Sequence, residues 1–327
     1  MKKLKRGYVM FIQIILLIIG FIILVKGADL FVEAASSLAE NFNVSKMMIA
    51  LTIVSFGTSA PEFAVSIKSL LANQNDMILG NVIGSNILNI LLILGISSCI
   101  HPLNVKNNTI KKELPITIMI STLLFIIMND TLFSTINENN LSRGDGLTIL
   151  LFFGIFIYYL FTIMRNKKET QSEVPKYNIL LSCLLTLLGI LSLIIGSNLV
   201  VESASKVASI LGVSERIIAL TIVALGTSLP ELVTSVIATK KGEYDIAIGN
   251  VVGSNIFNIG IVLGLPIIMF GSINQISLRN MDLAIFLLSP ILLFLFSLKK
   301  QTITRISGII FLILFLIYYG SVLWSVL

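Results

Sequence analysis

The chain contains a long internal repeat. Residues 50–90 and 219–259 align without a gap at an offset of 169 residues and share 21 of 41 positions. ALTIVSFGTSAPE, ending at Glu62, returns as ALTIVALGTSLPE, ending at Glu231. GNVIGSNILNI, from Gly80, returns as GNVVGSNIFNI, from Gly249. The same offset pairs GADLFVEAAS, from Gly27, with GSNLVVESAS, from Gly196, and Val44-Ser45 with Val213-Ser214. Any fold for this chain must therefore accommodate two copies of one unit.

Composition says where that unit sits. Of the 327 residues 56% are hydrophobic and 12% charged, and the mean hydropathy is +0.98. Soluble domains carry about 25% charged residues, so an ordinary soluble domain is excluded. At about 20 apolar residues per membrane span, hydropathy supports ten helices. They fall near 8–35, 44–71, 76–100, 110–128, 146–164, 178–204, 213–239, 245–271, 281–298 and 304–325. The polar stretch 129–145 reads as a loop, and 165–178, RNKKETQSEVPKYN, divides the chain near its middle. The expected organisation is a first five-helix repeat over 1–164, a polar linker over 165–178 and a second repeat over 179–327. The start could pass for a signal peptide, with a basic segment before an apolar one. Its partner in the second half makes it the first span instead.

Five spans per repeat is an odd number, so the two copies cross the bilayer in opposite directions. The expected fold class is an all-α polytopic membrane protein, ten transmembrane helices arranged as two inverted five-helix repeats. Such repeats are typical of secondary transporters, with the ion site at the midplane between them. No polar stretch is long enough for a catalytic domain outside the membrane. The net charge of +6, from 23 Lys and Arg against 17 Asp and Glu, marks cytoplasmic loops rather than a nucleic-acid partner. Cys99 and Cys183 lie in apolar segments without disulfide or metal spacing. His101 is the only histidine and reads as an interfacial residue. Phe152-Phe153 and Tyr158-Tyr159 read as packing or interfacial anchors. No nucleophile–base pair is visible, so the chain is not expected to be an enzyme.

The best-matched residues are polar, which lipid-facing scaffold would not retain. Glu62 and Glu231 lie mid-span, where a charge costs about 2.5–3.5 kcal/mol. No Lys or Arg stands near either in the repeat. One such glutamate is explained equally well by a protonated side chain bonded between helices. Two at matched positions favour a bound cation or bound protons. Pro61 and Pro230 remove a backbone donor and free a carbonyl one turn back, and broken backbone at membrane depth is tolerated where it lines a cavity. Thr58 and Ser59 share the helical face of Glu62, as Thr227 and Ser228 share that of Glu231. In the third and eighth spans Ser85 and Asn89 are four apart, as are Ser254 and Asn258, so each pair places a hydroxyl and an amide on one face. Carboxylate, carbonyl and hydroxyl oxygens suit Ca²⁺ or Na⁺, not a soft metal. Asn81, Asn86, Asn250 and Asn255 read rather as hydrogen bonds between helices.

At these motifs the sequence resembles the sodium/calcium exchanger family, within the wider cation/calcium antiporters. The paired GTSxPE and GNVxGSNIxN segments are similar to that family's two alpha repeats, and the resemblance covers the whole chain. It implies a first and a sixth helix that slide against a core of the other eight. It implies that Glu62 and Glu231 hold Ca²⁺ together with the backbone carbonyls of Thr58 and Thr227. Sodium would use the same glutamates with Ser59, Ser85, Ser228 and Ser254, and the carbonyls of Ser55 and Ala224 would complete the outer sodium sites. Asn89 and Asn258 would line the middle. Many relatives carry Asp at one of those last two positions, whereas this chain has Asn at both, which leaves a formal site charge of −2. The absence of an extra acid in the Gly-Asn segment favours sodium over protons. The activity implied is Na⁺/Ca²⁺ antiport; charge and energy arithmetic on assumed ion gradients favours three Na⁺ per Ca²⁺, which would make alternating access electrogenic. The transported ions occupy the site without a resident cofactor, and the chain works as a monomer in the lipid bilayer. A Ca²⁺/H⁺ or other cation exchanger is the nearest alternative, and a passive cation channel a more distant one.

Ten spans put both termini on one side. Leaving out Lys26, which lies within a span, loops on the side of 165–178 carry 13 Lys and Arg, and the opposite side carries 9, four of them from Lys2, Lys3, Lys5 and Arg6. The loop balance expects 165–178 in the cytoplasm and both termini outside, while the basic N-terminus pulls the other way.

Overall fold

A computed structural model describes residues 2–72, 74–133, 139–165, 174–273, 276 and 278–324. Ten helical segments account for nearly all of them. They are α1 (Lys2–Asn41), α2 (Lys46–Thr58 and Ala60–Leu71), α3 (75–100), α4 (109–127), α5 (Arg143–Arg165), α6 (Ile179–Ile210), α7 (215–240), α8 (Tyr244–Phe270), α9 (Asn280–Leu298) and α10 (Arg305–Trp324). The expected loop at 129–145 also contains a helical turn, Asp130–Phe133. Of the linker 165–178, residues 166–173 lie outside the described residues. Its far end leads into Asn178, whose side chain caps α6 by accepting from the Leu181 N–H at 2.9 Å.

Seven of the ten segments are unbroken helices long and apolar enough to cross a membrane. The segments α2 and α7 qualify only as bent pairs, with angles of 45° and 56°. In α4 the first turn is a π-helix carrying Lys111, Lys112 and Glu113, which leaves 14 residues of α-helix, Leu114–Ile127. The helices α1 and α6 run past the expected ends at 35 and 204, to Asn41 and Ile210. Hydropathy falls in VEAASSLAEN, but Ala, Glu and Leu keep its helix propensity high, so the helix outlasts the apolar run.

The inversion of the repeats is visible in the loops. Leu103–Asn104, between α3 and α4, pairs antiparallel with Thr302–Ile303, between α9 and α10, with Leu103 opposite Ile303. On the opposite face Leu141, between α4 and α5, bridges to Ile273, between α8 and α9. The repeat offset exchanges these two loop pairs, and the odd number of spans places them on opposite faces.

Packing separates two layers. The segments α3 and α8 bury most of their length, while α1, α5, α6, α9 and α10 turn most of theirs outward. Phe11, Ile18 and Ile22 of α1 and Leu180, Leu187 and Leu191 of α6 are exposed, an apolar surface far beyond what a soluble monomer shows. The first and sixth helices lie along each other at glycine contacts. A Cβ on Gly27 would stand 2.5 Å from Ser192 Cβ, and one on Gly196 would stand 2.8 Å from the Leu24 nitrogen. Small residues at such crossings let backbones approach in lipid.

A candidate cation site at the repeat interface

Both broken helices break at the same motif position. Ser59, between the halves of α2, has φ −81° and ψ 6°; Ser228, between the halves of α7, has φ −87° and ψ 8°. The proline follows in the first turn of the second half in each case, where a missing N–H costs nothing because no intrahelical acceptor is available. Glu62 and Glu231 stand in those same first turns, where the helix dipole favours negative charge. Four π-helical turns complete the pattern: Ala50–Val54, Asn89–Leu94, Ala219–Val223 and Asn258–Leu263. The first and third are repeat mates, as are the second and fourth. Such turns concentrate at functional sites and disturb the carbonyl ladder.

The repeats meet by exchanging hydrogen bonds. Ser59 Oγ donates to Glu231 Oε1 at 3.1 Å, and Ser228 Oγ donates to Glu62 Oε1 at 3.2 Å. Ser85 Oγ lies 3.5 Å from Glu62 Oε1 and 3.2 Å from Ser228 Oγ. Glu62 and Glu231 are 0% and 1% exposed, and Oε2 of each accepts no hydrogen bond. No Lys or Arg pairs with either; the ion pairs found among the described residues lie elsewhere. Among the described residues no three His, Cys, Asp or Glu side chains converge as a metal cluster. The side chains bonded to the two carboxylates are the hydroxyls of Ser59, Ser85 and Ser228, a hard-oxygen environment.

Ten of the twelve residues singled out from the sequence are buried: Ser55, Thr58, Ser59, Glu62, Ser85, Asn89, Ser228, Glu231, Ser254 and Asn258. Thr227 is half-buried and Ala224 exposed. That difference between repeat mates runs through the whole site. Ser55 Oγ donates to the Ala50 carbonyl at 2.6 Å and lies 3.2 Å from the carbonyls of Gly249 and Asn250. Thr58 Oγ1 donates to Asn250 Oδ1 at 2.9 Å and lies 3.4 Å from Ser254 Oγ. Thr227 Oγ1, its repeat mate, reaches among the described residues only the Ala224 carbonyl, at 3.3 Å. A Cβ on Gly253 would stand 2.0 Å from Ser55 Oγ, whereas one on its mate Gly84 would meet nothing within 4 Å. The first half of α2 is closed against α8, and the first half of α7 stands away from α3. The site is therefore sealed on the side of the 165–178 linker and open towards the side of both termini. A separate apolar cavity of about 450 Å³, lined by Phe42, Met48, Ile53, Leu160, Phe161 and Met164 among others, does not include the glutamates.

The asparagines assigned to hydrogen bonding between helices are so bonded, with a focus not expected. Asn81 Nδ2 donates to the Glu62 carbonyl at 3.1 Å, and Asn250 Nδ2 to the Glu231 carbonyl at 3.3 Å. Each also reaches a serine, Ser66 at 3.3 Å and Ser235 at 2.9 Å. Ser66 and Ser235 carry a sequence signal of their own, as the only identity between positions 63 and 75 and their mates. Free Cys99 and Cys183 take no part. His101 stacks on Tyr244 at 5.0 Å outside the site.

Two inverted helical repeats, broken at membrane depth and sharing two buried carboxylates, define a secondary cation antiporter. The sequence profile described as sodium/calcium exchanger protein matches residues 12–162 and 181–324. The chain belongs to the sodium/calcium exchanger family. The putative antiporter CaxA of Alkalimonas amylolytica is 37% identical over 323 residues, covering 94% of this chain and 98% of the relative. The sodium/calcium exchanger MaX1 of Methanosarcina acetivorans is 30% identical, over 86% of this chain and 88% of that protein. A solved structure of the sodium-calcium exchanger NCX_Mj, soaked with Na⁺ and Sr²⁺, superposes with a TM-score of 0.83 at 31% identity. It covers 95% of this chain and 99% of that one. The chain is thus a multi-pass membrane protein of a transporter family whose exchange involves cations and Ca²⁺.

Proposed function

We propose that the protein exchanges Na⁺ for Ca²⁺ by alternating access, with Glu62 and Glu231 as the shared cation ligands. The observation that carries this reading is the reciprocal pair Ser59–Glu231 and Ser228–Glu62, which leaves one oxygen of each buried carboxylate without a hydrogen bond. In this reading Ca²⁺ takes the two carboxylates with the carbonyls of Thr58 and Thr227. Sodium ions use the same carboxylates with Ser59, Ser85, Ser228 and Ser254, the outer ones completed by the carbonyls of Ser55 and Ala224. Asn89 and Asn258 line the middle. The transported ions are the only occupants required. The fold unit is a monomer in the bilayer, built as 1–164 and 179–327 around the linker 165–178.

Charge and energy support a coupling of three Na⁺ per Ca²⁺, taking a Ca²⁺ gradient of about 10⁴-fold and Na⁺ gradients of about tenfold as the assumed load. One Ca²⁺ neutralises the pair of glutamates, and three Na⁺ leave +1. Extruding Ca²⁺ against a 10⁴-fold gradient costs about 5.5 kcal/mol at about 1.4 kcal/mol per tenfold. Two Na⁺ on tenfold gradients supply about 2.7 kcal/mol. Three supply about 4.1 kcal/mol, and the net charge entering adds about 2.3 kcal/mol per 100 mV. Three is the smaller sufficient number, and it makes transport electrogenic. We assign the linker to the cytoplasm and both termini to the outside from the charge balance of the loops, so the open side of the site faces outward.

The test is ⁴⁵Ca²⁺ uptake into proteoliposomes loaded with Na⁺ or with choline, each with and without a pH gradient. Uptake confined to Na⁺-loaded vesicles is the expected result. Uptake that ignores Na⁺ and follows the pH gradient would replace it with Ca²⁺/H⁺ exchange. Fast flux indifferent to both would mean a channel.

A further inference from the structure

Four asparagines form a hydrogen-bonded chain across the repeat interface, in the order Asn258, Asn86, Asn255 and Asn89, and the two in the middle are not among the candidate ion ligands. Asn86 Nδ2 donates to the Asn255 carbonyl and Asn255 Nδ2 to the Asn86 carbonyl, both at 3.3 Å. Asn89 Nδ2 donates to Asn255 Oδ1 at 2.9 Å, and Asn258 Nδ2 donates to Asn86 Oδ1 at 3.1 Å. All four side chains are at most 2% exposed. Both ends of the Asn86 and Asn255 amides are thereby committed. Asn89 and Asn258 are committed at nitrogen only, and Oδ1 of each has no hydrogen-bond partner. Each stands one turn beyond the serine on its own helix face, Ser85 beside Glu62 and Ser254 beside Thr58.

We propose that Asn86 and Asn255 are positioning residues that fix the amide orientation of Asn258 and Asn89, so that Oδ1 of each faces the transported cation. The inference rests on the exchange reading of the site. A primary amide presents an acceptor at one end and two donors at the other. Turning Asn258 over would set its Oδ1 against Asn86 Oδ1 and point its N–H groups at a cation. The neighbour thus selects the end that the cation meets. The device is symmetric: Asn255 acts on Asn89 from the second repeat, and Asn86 acts on Asn258 from the first. It also works with a neutral amide, so it adds acceptors to the site without adding charge to the two glutamates.

The test is a double-mutant cycle on the full-length protein in lipid nanodiscs, read by calorimetric Ca²⁺ binding and by the Na⁺ concentration that displaces half of it. Asn86→Ala is expected to raise the Ca²⁺ dissociation constant or that Na⁺ concentration about tenfold, the scale of one hydrogen bond to a charged group. In the Asn258→Ala background the same change should add less than twofold, because its effect passes through Asn258. Additive losses would overturn the proposal. So would a lowered melting temperature with unchanged ion binding, which is what a packing role produces. The near-isosteric Asn86→Leu, and the mirror cycle of Asn255→Ala with Asn89→Ala, serve where Asn86→Ala does not give folded protein. Ca²⁺ binding without Na⁺-dependent uptake in the unmutated protein would remove the exchange reading and leave the cycle to decide the positioning role. No Ca²⁺ binding at all would overturn both.

Discussion

Ser59 of the first repeat hydrogen-bonds Glu231 of the second at 3.1 Å, rather than Glu62 three residues along its own helix. Ser228 returns the contact to Glu62 at 3.2 Å. Neither repeat therefore holds a complete site alone. Mutational effects should be paired across the interface. Ser228→Ala is expected to weaken Na⁺ activation of exchange about tenfold, from the loss of a hydrogen bond to a charged group. In a cycle of exchange kinetics it should couple to Glu62→Asp and be additive with Glu231→Asp. The opposite pairing would show that the serines serve their own repeat.

The carboxylates themselves are the sharper test of the site. Glu62→Gln and Glu231→Gln each remove a charge that no Lys or Arg balances, so neither leaves a buried cation without its partner. Both variants should fold, with melting temperatures at or above that of the parent, because uncompensated buried charge is destabilising. Both should lose ⁴⁵Ca²⁺ transport. Full transport in the two single variants would remove these residues from the site.

Much of this was legible in the sequence because the repeat doubles every signal. A single Glu62 in an apolar span has several explanations, whereas Glu62 and Glu231 at matched positions have few. Disturbed backbone beside the glutamates was legible for the same reason, through the paired prolines, although the position of the breaks at Ser59 and Ser228 was not. What the repeat hides is any difference between its copies. The buried Thr58 and the half-buried Thr227 sit in identical GTSxPE motifs, and only the packing of α2 against α8 distinguishes them. The cross-repeat partners of Asn86 and Asn255 were hidden as well, since an offset aligns residues and says nothing of which ones touch. Helix ends were misplaced where hydropathy and helix propensity part, as at Asn41 and Ile210.

The difference in exposure between Ala224 and Ser55 gives a test of both the open side and the topology. In a background of Cys99→Ser and Cys183→Ser, Ala224→Cys should react with a membrane-impermeant thiol reagent added to the face bearing the termini. Ser55→Cys, at 0% exposure, should be protected. With the linker cytoplasmic, labelling at Ala224→Cys occurs on intact cells from outside. Labelling only in inverted vesicles would reverse the assigned orientation. Labelling of both positions from one face would contradict the seal at α2.

Pseudo-symmetry makes a prediction for a glycine beside which there is open space. On the sealed side Gly253 fits against Ser55 and Leu51, where a Cβ would stand 2.0 Å from Ser55 Oγ and 3.0 Å from Leu51 Cα. Its mate Gly84 has open space. If closing the terminal side repeats the sealed packing with the copies exchanged, Gly84 must come to stand against Leu220 and Ala224, the mates of Leu51 and Ser55. Gly84→Ala should then leave folding and melting temperature unchanged in the observed state and slow exchange. A methyl forced into packed surroundings costs about 1–3 kcal/mol, which lowers the population of the closed state by about 5–150-fold. Gly253→Ala should do the reverse: it disturbs the observed state, lowers the melting temperature and loosens the linker side. Unchanged exchange rates in Gly84→Ala proteoliposomes would mean that the terminal side closes by a movement that is not the mirror of the sealed one.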